Sequence, residues 1–324
     1  MMKKKFLSFI SSLFIILFGL SGCGTNPATT STSLKNKPQI SQIYAFGDSY
    51  SDNGNGSMKI SKEIMNLPKP ITGSSILPCD PKNKLYWNGR WSNGPTAVEV
   101  LAADLHVKLT DYAVGGATSG KSNYYDWINK YKNTGVLAQE DWFKKSLAGQ
   151  KADPNALYFI FVSANDYFQH MDFNTPGTIK ELSKQTDQNI QTTIKELSSL
   201  GAKNFMVVSS TDLSVVPWEV INSRTSTAKE YTADVNTELP KDLKNLNTAL
   251  NIKITFFDHT AISKKIRSNP AKYGLKEINT SFERTYPNIV AGKDNPNEHY
   301  FWDEWHPTKA VHKIVGDEMA KEIK

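Results

Sequence analysis

Cysteine is nearly absent from this chain, whose 324 residues carry only Cys23 and Cys79. Two cysteines cannot build the disulfide framework of a small stapled scaffold, and no Cys-x-x-Cys spacing marks a structural zinc site. None of the six histidines forms a His-Glu-x-x-His pair, so the common zinc-hydrolase pattern is missing as well. Neither form of glycine-rich phosphate loop occurs, and no Gly-x-Ser-x-Gly elbow appears anywhere. Charge of one sign is also scarce. Half of the formal +6 comes from Lys3, Lys4 and Lys5, and no stripe of Lys and Arg interleaves with aromatics, so no nucleic-acid partner is expected. No metal or organic cofactor is expected either. Finally, no apolar run reaches the ~20 residues of a spanning helix.

The longest apolar run, Phe6–Leu20, follows the three lysines and precedes Leu20-Ser21-Gly22-Cys23. A basic start, a short apolar centre and small residues before a cut describe an export signal over residues 1–22. A cysteine at the first mature position suits lipid attachment through its thiol, and the segment resembles a bacterial lipoprotein signal. Gly24 follows, so no acidic residue of the kind linked to inner-membrane retention is present. The expected location is therefore the outer membrane or cell surface, through lipidated Cys23. An ordinary export signal releasing a soluble secreted or periplasmic protein is the alternative, in which Cys23 and Cys79 could pair. Residues 23–40, rich in Thr, Ser and Pro, read as a polar tether ahead of one domain over residues 41–324.

Within that domain, apolar runs alternate with helical periodicity. Strands are expected at Ile43–Phe46, Val107–Val114, Leu157–Val162, Phe205–Val208 and Ile252–Phe257. Helices are expected at Pro95–Leu105, Asp126–Leu147 with a break near Gly135, Thr178–Leu200 capped by Gly201, Ser226–Leu250, and from Pro307 to the end. This rhythm predicts an α/β fold: three α/β/α layers around a mostly parallel sheet. In such sheets ligands bind beyond the carboxyl ends of the strands. Four unusual segments fall at that edge.

Phe46-Gly47-Asp48-Ser49 places a serine after the first strand. Gly115-Gly116 follows the second strand, where a backbone amide can approach a ligand closely. Asn165 follows the third and offers a side-chain NH2. Asp303-Glu304-Trp305-His306 sets a carboxylate three residues before an imidazole, ahead of the last helix. Each alone is compatible with a plain turn or helix cap. Together they supply what acyl transfer by an activated hydroxyl needs: nucleophile, base, orienter and donors for an oxyanion. His259, after Asp258 at a strand end, is the rival base.

These blocks, in this order, resemble the GDSL (SGNH) esterases and lipases. Asn88-Gly89-Arg90-Trp91-Ser92-Asn93-Gly94-Pro95-Thr96 is similar to a segment of the lipolytic branch, which contains lysophospholipases, lecithinase-haemolysins and glycerophospholipid:cholesterol acyltransferases. The resemblance implies an SGNH-hydrolase, flavodoxin-like fold. It implies Ser49 as nucleophile, His306 as base and Asp303 as its orienter, with an oxyanion hole from Ser49, Gly116 and Asn165. An acyl-ester lipid is the implied substrate, with a carbohydrate O-acetylesterase or an inactive surface-binding lipoprotein as alternatives. Tyr86, Trp87, Trp91, Trp302 and Trp305 could line an acyl groove. Three positions depart from the family pattern: Tyr50 for leucine, Ser163 for glycine and Asp111 for asparagine.

Overall fold

Five short strands make the centre: β1 (Gln42–Gly47), β2 (Lys108–Asp111), β3 (Leu157–Phe161), β4 (Asn204–Val208) and β5 (Lys253–Phe257). All pair in parallel, in the order β2-β1-β3-β4-β5. Every residue of β3, Leu-Tyr-Phe-Ile-Phe, is buried, as a central strand covered on both faces must be. β2 and β5, at the two edges, are only partly buried. The computed structural model describes residues 40–75, 77, 79–80, 82 and 84–323. The export signal, Cys23 and most of the tether lie outside them.

The helices are α1 (Ser57–Met65), α2 (Ala97–Leu105), α3 (Asp126–Asn129), α4 (Val136–Ser146), α5 (Ala164–Phe173), α6 (Ile179–Leu200), α7 (Pro217–Ile221), α8 (Thr225–Ala249), α9 (His259–Ser268) and α10 (Lys309–Ile323). α2 and α10 pack together, and α4, α6 and α8 form a second group. Right-handed crossovers explain this split. The chain steps one way from β1 to β2 and the other way from β2 through β5, which puts the connecting helices on opposite faces. The reversal leaves a crevice at the carboxyl ends of β1 and β3, where this strand order places its ligand site. A two-stranded sheet, β6 (Glu277–Ser281) with β7 (His299–Phe301), lies apart from the main one.

The 126–147 segment is two helices with the break expected near Gly135, where a side chain would run into the Gly120 carbonyl and the Lys121 backbone. Two helix starts differ from expectation. The helix expected from Pro95 begins at Ala97, where the Thr96 amide donates to Glu99 Oε2 at 2.9 Å. The last helix starts at Lys309 rather than Pro307, which bridges to Phe301. α6 begins at Thr178 and Glu181, which bond each other's backbone amides, and stops at Gly201, φ 120°.

Candidate active site

Ser49 sits in the turn after β1. Gly47 closes the strand because a Cβ there would collide with the Phe161 carbonyl of β3. The amides of Ser51 and Asp52 both donate to the Asp48 carbonyl at 3.0 Å. Asp48 Oδ1 accepts from the Tyr50 amide at 3.0 Å, and burial pushes the Asp48 carboxyl up to about 7. Asp52 acts as the knot of the site. Its Oδ2 accepts from the Ser57 amide at 2.8 Å, the Ser57 hydroxyl at 2.5 Å and the Gly115 amide at 3.0 Å. One buried carboxylate thus ties the serine turn, the start of α1 and the glycine pair together.

His306 and Asp303 come from a tight turn after β7, closed by Trp302 N–H donating to the His306 carbonyl at 2.7 Å. His306 Nε2 lies 2.8 Å from Ser49 Oγ. On the far side of the ring, Nδ1 lies 2.7 Å from Asp303 Oδ2 and 2.9 Å from Oδ1. Asp303 is fully buried, and its Oδ1 also accepts from the amides of Trp305 and His306, at 2.8 and 2.7 Å. The Tyr86 hydroxyl donates to Asp303 Oδ2 at 2.5 Å. Fixed on one nitrogen by a carboxylate, the imidazole presents the other to the serine hydroxyl, the geometry that activates a nucleophile.

Three candidate oxyanion donors belong to residues that line one cavity with the Ser49–His306 pair. Gly116, φ 81°, follows the β2 loop, and a side chain there would strike the Asn123 amide. Among the described residues neither Ser49 N–H nor Gly116 N–H has a hydrogen-bond partner. Asn165, in the first turn of α5, gives one N–H to the Ala117 carbonyl at 3.1 Å, leaving its second for a ligand. Next to it, Asp166 takes the Ser119 amide and hydroxyl at 2.8 and 2.6 Å, pinning α5 to the glycine loop. Burial pushes the Asp166 carboxyl up to about 6.

These groups open into a cavity of about 590 Å³, lined by Ser49, Gly116, Asn165, Asp303 and His306 together with Tyr124, Tyr125, Phe168, Phe173, Trp218, Tyr286 and Trp305. Tyr86 and Trp91 line it too. Trp91 lies 5.3 Å from the His306 ring. Asp172, the other lining carboxylate, is already engaged by Arg224 at 2.6 Å and by the Tyr124 hydroxyl at 2.9 Å. Among the described residues no group of His, Cys, Asp and Glu is placed to hold a metal ion.

The model of the GDSL-like lipases and acylhydrolases matches residues 43–319. The chain belongs to that family. It is a serine ester hydrolase. This GDSL enzyme is 23% identical to a GDSL esterase/lipase of Arabidopsis thaliana, over 95% of this chain and 93% of that one. It is 24% identical to the phosphatidylcholine-sterol acyltransferase of Aeromonas hydrophila, over 95% of each. The thermolabile hemolysin of Vibrio parahaemolyticus is 25% identical over 87% of this chain, which spans 64% of the hemolysin. Among solved structures, a carbohydrate acetylesterase of Sinorhizobium meliloti aligns at 14% identity with a TM-score of 0.46, covering 87% of this chain and 98% of that one.

All five expected polar positions, Ser49, Gly116, Asn165, Asp303 and His306, meet at one edge of the sheet of the GDSL enzyme. His259 does not join them. It is buried against Phe161 and Tyr50, and burial pushes it down to about 4. Of the five aromatics suggested for a groove, Tyr86, Trp91 and Trp305 line the cavity. Trp87 instead lies under the Arg90 guanidinium, and the buried Trp302 stacks on Phe282.

The three departures have structural accounts. Tyr50 is no passive replacement, since its hydroxyl donates to the Trp305 carbonyl at 2.9 Å and steadies the His306 turn. Asp111 accepts from the amides of Asn53 and Ala113 at 3.0 and 2.9 Å, and burial holds its carboxyl well above the usual range. Ser163 Oγ donates to Ser210 Oγ at 2.9 Å, while Asn165 bonds the Ala117 carbonyl. The sequence reading missed the role of Tyr86 on Asp303 and that of Glu304. Glu304, fully buried, accepts from the Thr285 amide and hydroxyl at 2.7 and 2.6 Å and the Tyr286 amide at 3.1 Å. Its place inside the Asp303–His306 block was the available signal.

Proposed function

We propose that Ser49 is the nucleophile of an enzyme that cleaves acyl-ester lipids, lysophospholipids or phospholipids. The observation that carries this reading is the 2.8 Å approach of His306 Nε2 to Ser49 Oγ at the mouth of a large aromatic cavity. Ser49 Oγ attacks the ester carbonyl as its proton passes to His306 Nε2. Asp303 holds Nδ1–H and stabilises the imidazolium. The oxyanion forms against Ser49 N–H, Gly116 N–H and the Asn165 amide. As the tetrahedral species collapses, His306 returns the proton to the leaving alcohol. Water, or an acceptor alcohol, then releases the acyl group by the same steps in reverse order.

The lining favours an acyl chain over a sugar. Its polar side chains are largely committed to protein partners, Asp172 to Arg224 and Tyr124, Thr285 to Glu304. Its volume lies within the usual ~300–1,000 Å³ of small-molecule sites, far more than an acetyl group would occupy. The name of the Aeromonas relative, a phosphatidylcholine-sterol acyltransferase, points the same way. We place the enzyme on a membrane surface through lipidated Cys23, a reading supported by Leu-Ser-Gly-Cys and the polar tether. The test is purified enzyme against lysophospholipids, diacyl phospholipids and acetylated xylo-oligosaccharides. Release of fatty acid from the lipids, with little from the sugars, is expected. Acetate release alone would replace the reading by a carbohydrate O-acetylesterase.

A further inference from the structure

Among the described residues, nine large apolar side chains are exposed; two of them, Phe173 and Tyr286, line the cavity, and four more lie within four residues of a lining residue. These six come from three separate elements. Phe173 ends α5 and lines the cavity; Val220 and Ile221 end α7, beside the lining residues Trp218 and Asn222. Tyr286, Ile289 and Val290 belong to a loop after β6 that folds back on itself through paired bonds between Arg284 and Val290, at 3.0 and 2.8 Å. That loop is held on the molecule from beneath by Glu304 and by Trp218, whose ring lies 5.3 Å from that of Tyr286.

The rim is also poor in charge. Residues 173–178, 220–223 and 285–292 contain no Asp, Glu, Lys or Arg, in a chain of which 22% is charged, and the exposed charges beside the loop are Arg284 at its start and Lys293 with Asp294 after it. Exposed apolar patches on soluble proteins are small and usually mark contact with another apolar surface. Here the patch surrounds the entrance through which the substrate must pass.

We propose that this rim docks the enzyme on a zwitterionic lipid surface, so that an acyl chain passes from the bilayer into the cavity without crossing water. The inference rests on the acyl-ester-lipid reading of the site. Three features select a lipid surface over a protein partner. The rim rings an opening rather than forming a flat face. Its aromatics, Phe173 and Tyr286, stand where apolar body meets polar headgroup. Its few charges, Arg284 and Lys293 beside Asp294, stand at the edge of the apolar residues and form no basic patch for an acidic surface. The tether cannot do this work, because it joins the domain at the amino end of β1, and the site opens at the carboxyl end. An anchor on Cys23 brings the enzyme near a membrane; the rim orients it.

The experiment uses the compact unit Pro38–Lys324, which contains the whole core and lacks Cys23. Wild type is compared with the combined variant Ile221→Ser, Ile289→Ser, Val290→Ser, none of which lines the cavity. Wild type should co-sediment with phosphatidylcholine vesicles, and the variant at least about ten-fold less, because each apolar side chain withdrawn from water contributes to the partition. High salt should leave wild-type binding largely intact, since apolar burial rather than charge drives it. Hydrolysis of vesicle phosphatidylcholine should fall with binding. Hydrolysis of a soluble p-nitrophenyl ester should stay within about two-fold, as for most surface changes. Equal sedimentation of the two proteins would overturn the proposal, as would wild type that dimerises through the rim and ignores vesicles. Dispersed short-chain phosphatidylcholine, below its micelle concentration, separates the two readings. Vesicle binding lost in the variant, with no phospholipid cleaved in either form, would keep the rim and remove the lipid substrate.

Discussion

Asp303 carries more partners than a bare orienter needs: two backbone amides, the His306 ring and the Tyr86 hydroxyl. Tyr86 shares Oδ2 with His306 Nδ1 and so helps hold the carboxylate against the ring. Tyr86→Phe should let the carboxylate shift and lower kcat about ten-fold or less, equivalent to ~1.4 kcal/mol of transition-state stabilisation, with KM little changed. An unchanged kcat would leave Tyr86 a packing residue only. Asn165→Ala should cost roughly 10²–10³ in kcat with little change in KM, because its free N–H acts on the oxyanion rather than the bound ester. A third residue-scale test concerns Asp48. Its folded carboxyl titrates at about 7 because burial penalises the charge, against ~3.9 in an unfolded chain. The folded state therefore holds the proton longer, and wild-type stability declines as pH rises from about 4 to 7. Asp48→Asn should gain melting temperature relative to wild type across that window and hold the gain above it.

At the scale of elements, the main sheet was legible because its strands are buried on both faces and read as continuous apolar runs. Leu157–Phe161 shows this most plainly. β6 and β7 left no such trace. Glu277–Ser281 is half-exposed and polar, and His299–Phe301 is three residues long. The broken helix at Gly135 was visible as a glycine, but not its cause, which is the backbone of residues 120–122 pressed against it. Likewise the Asn88–Thr96 segment could be matched by resemblance while its job could not be read. It splints the histidine turn: Trp91 stacks near His306, Ser92 Oγ donates to the Pro307 carbonyl at 2.7 Å, and Asn93 Oδ1 accepts from the Lys309 amide at 2.8 Å. Glu304 does the same for the rim loop. Glu304→Ala leaves the Thr285 and Tyr286 donors unpaired, each buried loss costing ~1–3 kcal/mol. Thermal melting should fall and KM should rise, whereas Glu304→Gln should recover much of both.

At the scale of the whole molecule, the proposed attachment enters the domain at the end of the sheet opposite its chemistry. The site lies beyond the carboxyl ends of β1 and β3; residue 40 leads into the amino end of β1. A six-residue strand at ~3.3 Å per residue puts about 20 Å between them. By sequence alone, a flexible polar linker of about 17 residues would reach ~20–25 Å, at about 5–6 Å × √n, enough for the proposed anchor to let the domain turn its cavity to a bilayer. Cys23→Ser should turn wash-resistant attachment of the ester hydrolase activity into the reversible binding proposed for the rim, or block maturation of the precursor. Wash-resistant attachment in a mature Cys23→Ser protein would contradict anchoring through Cys23.

The central claim is that His306 and Asp303 make Ser49 the reactive nucleophile, and fluorophosphonate labelling followed by mass spectrometry of the adduct tests it most directly. The account predicts one adduct, on the peptide containing Ser49. Labelling should vanish in Ser49→Ala and slow sharply in His306→Ala, because serine and base act as a unit. An adduct on another residue, or labelling that persists in folded Ser49→Ala protein, would contradict it.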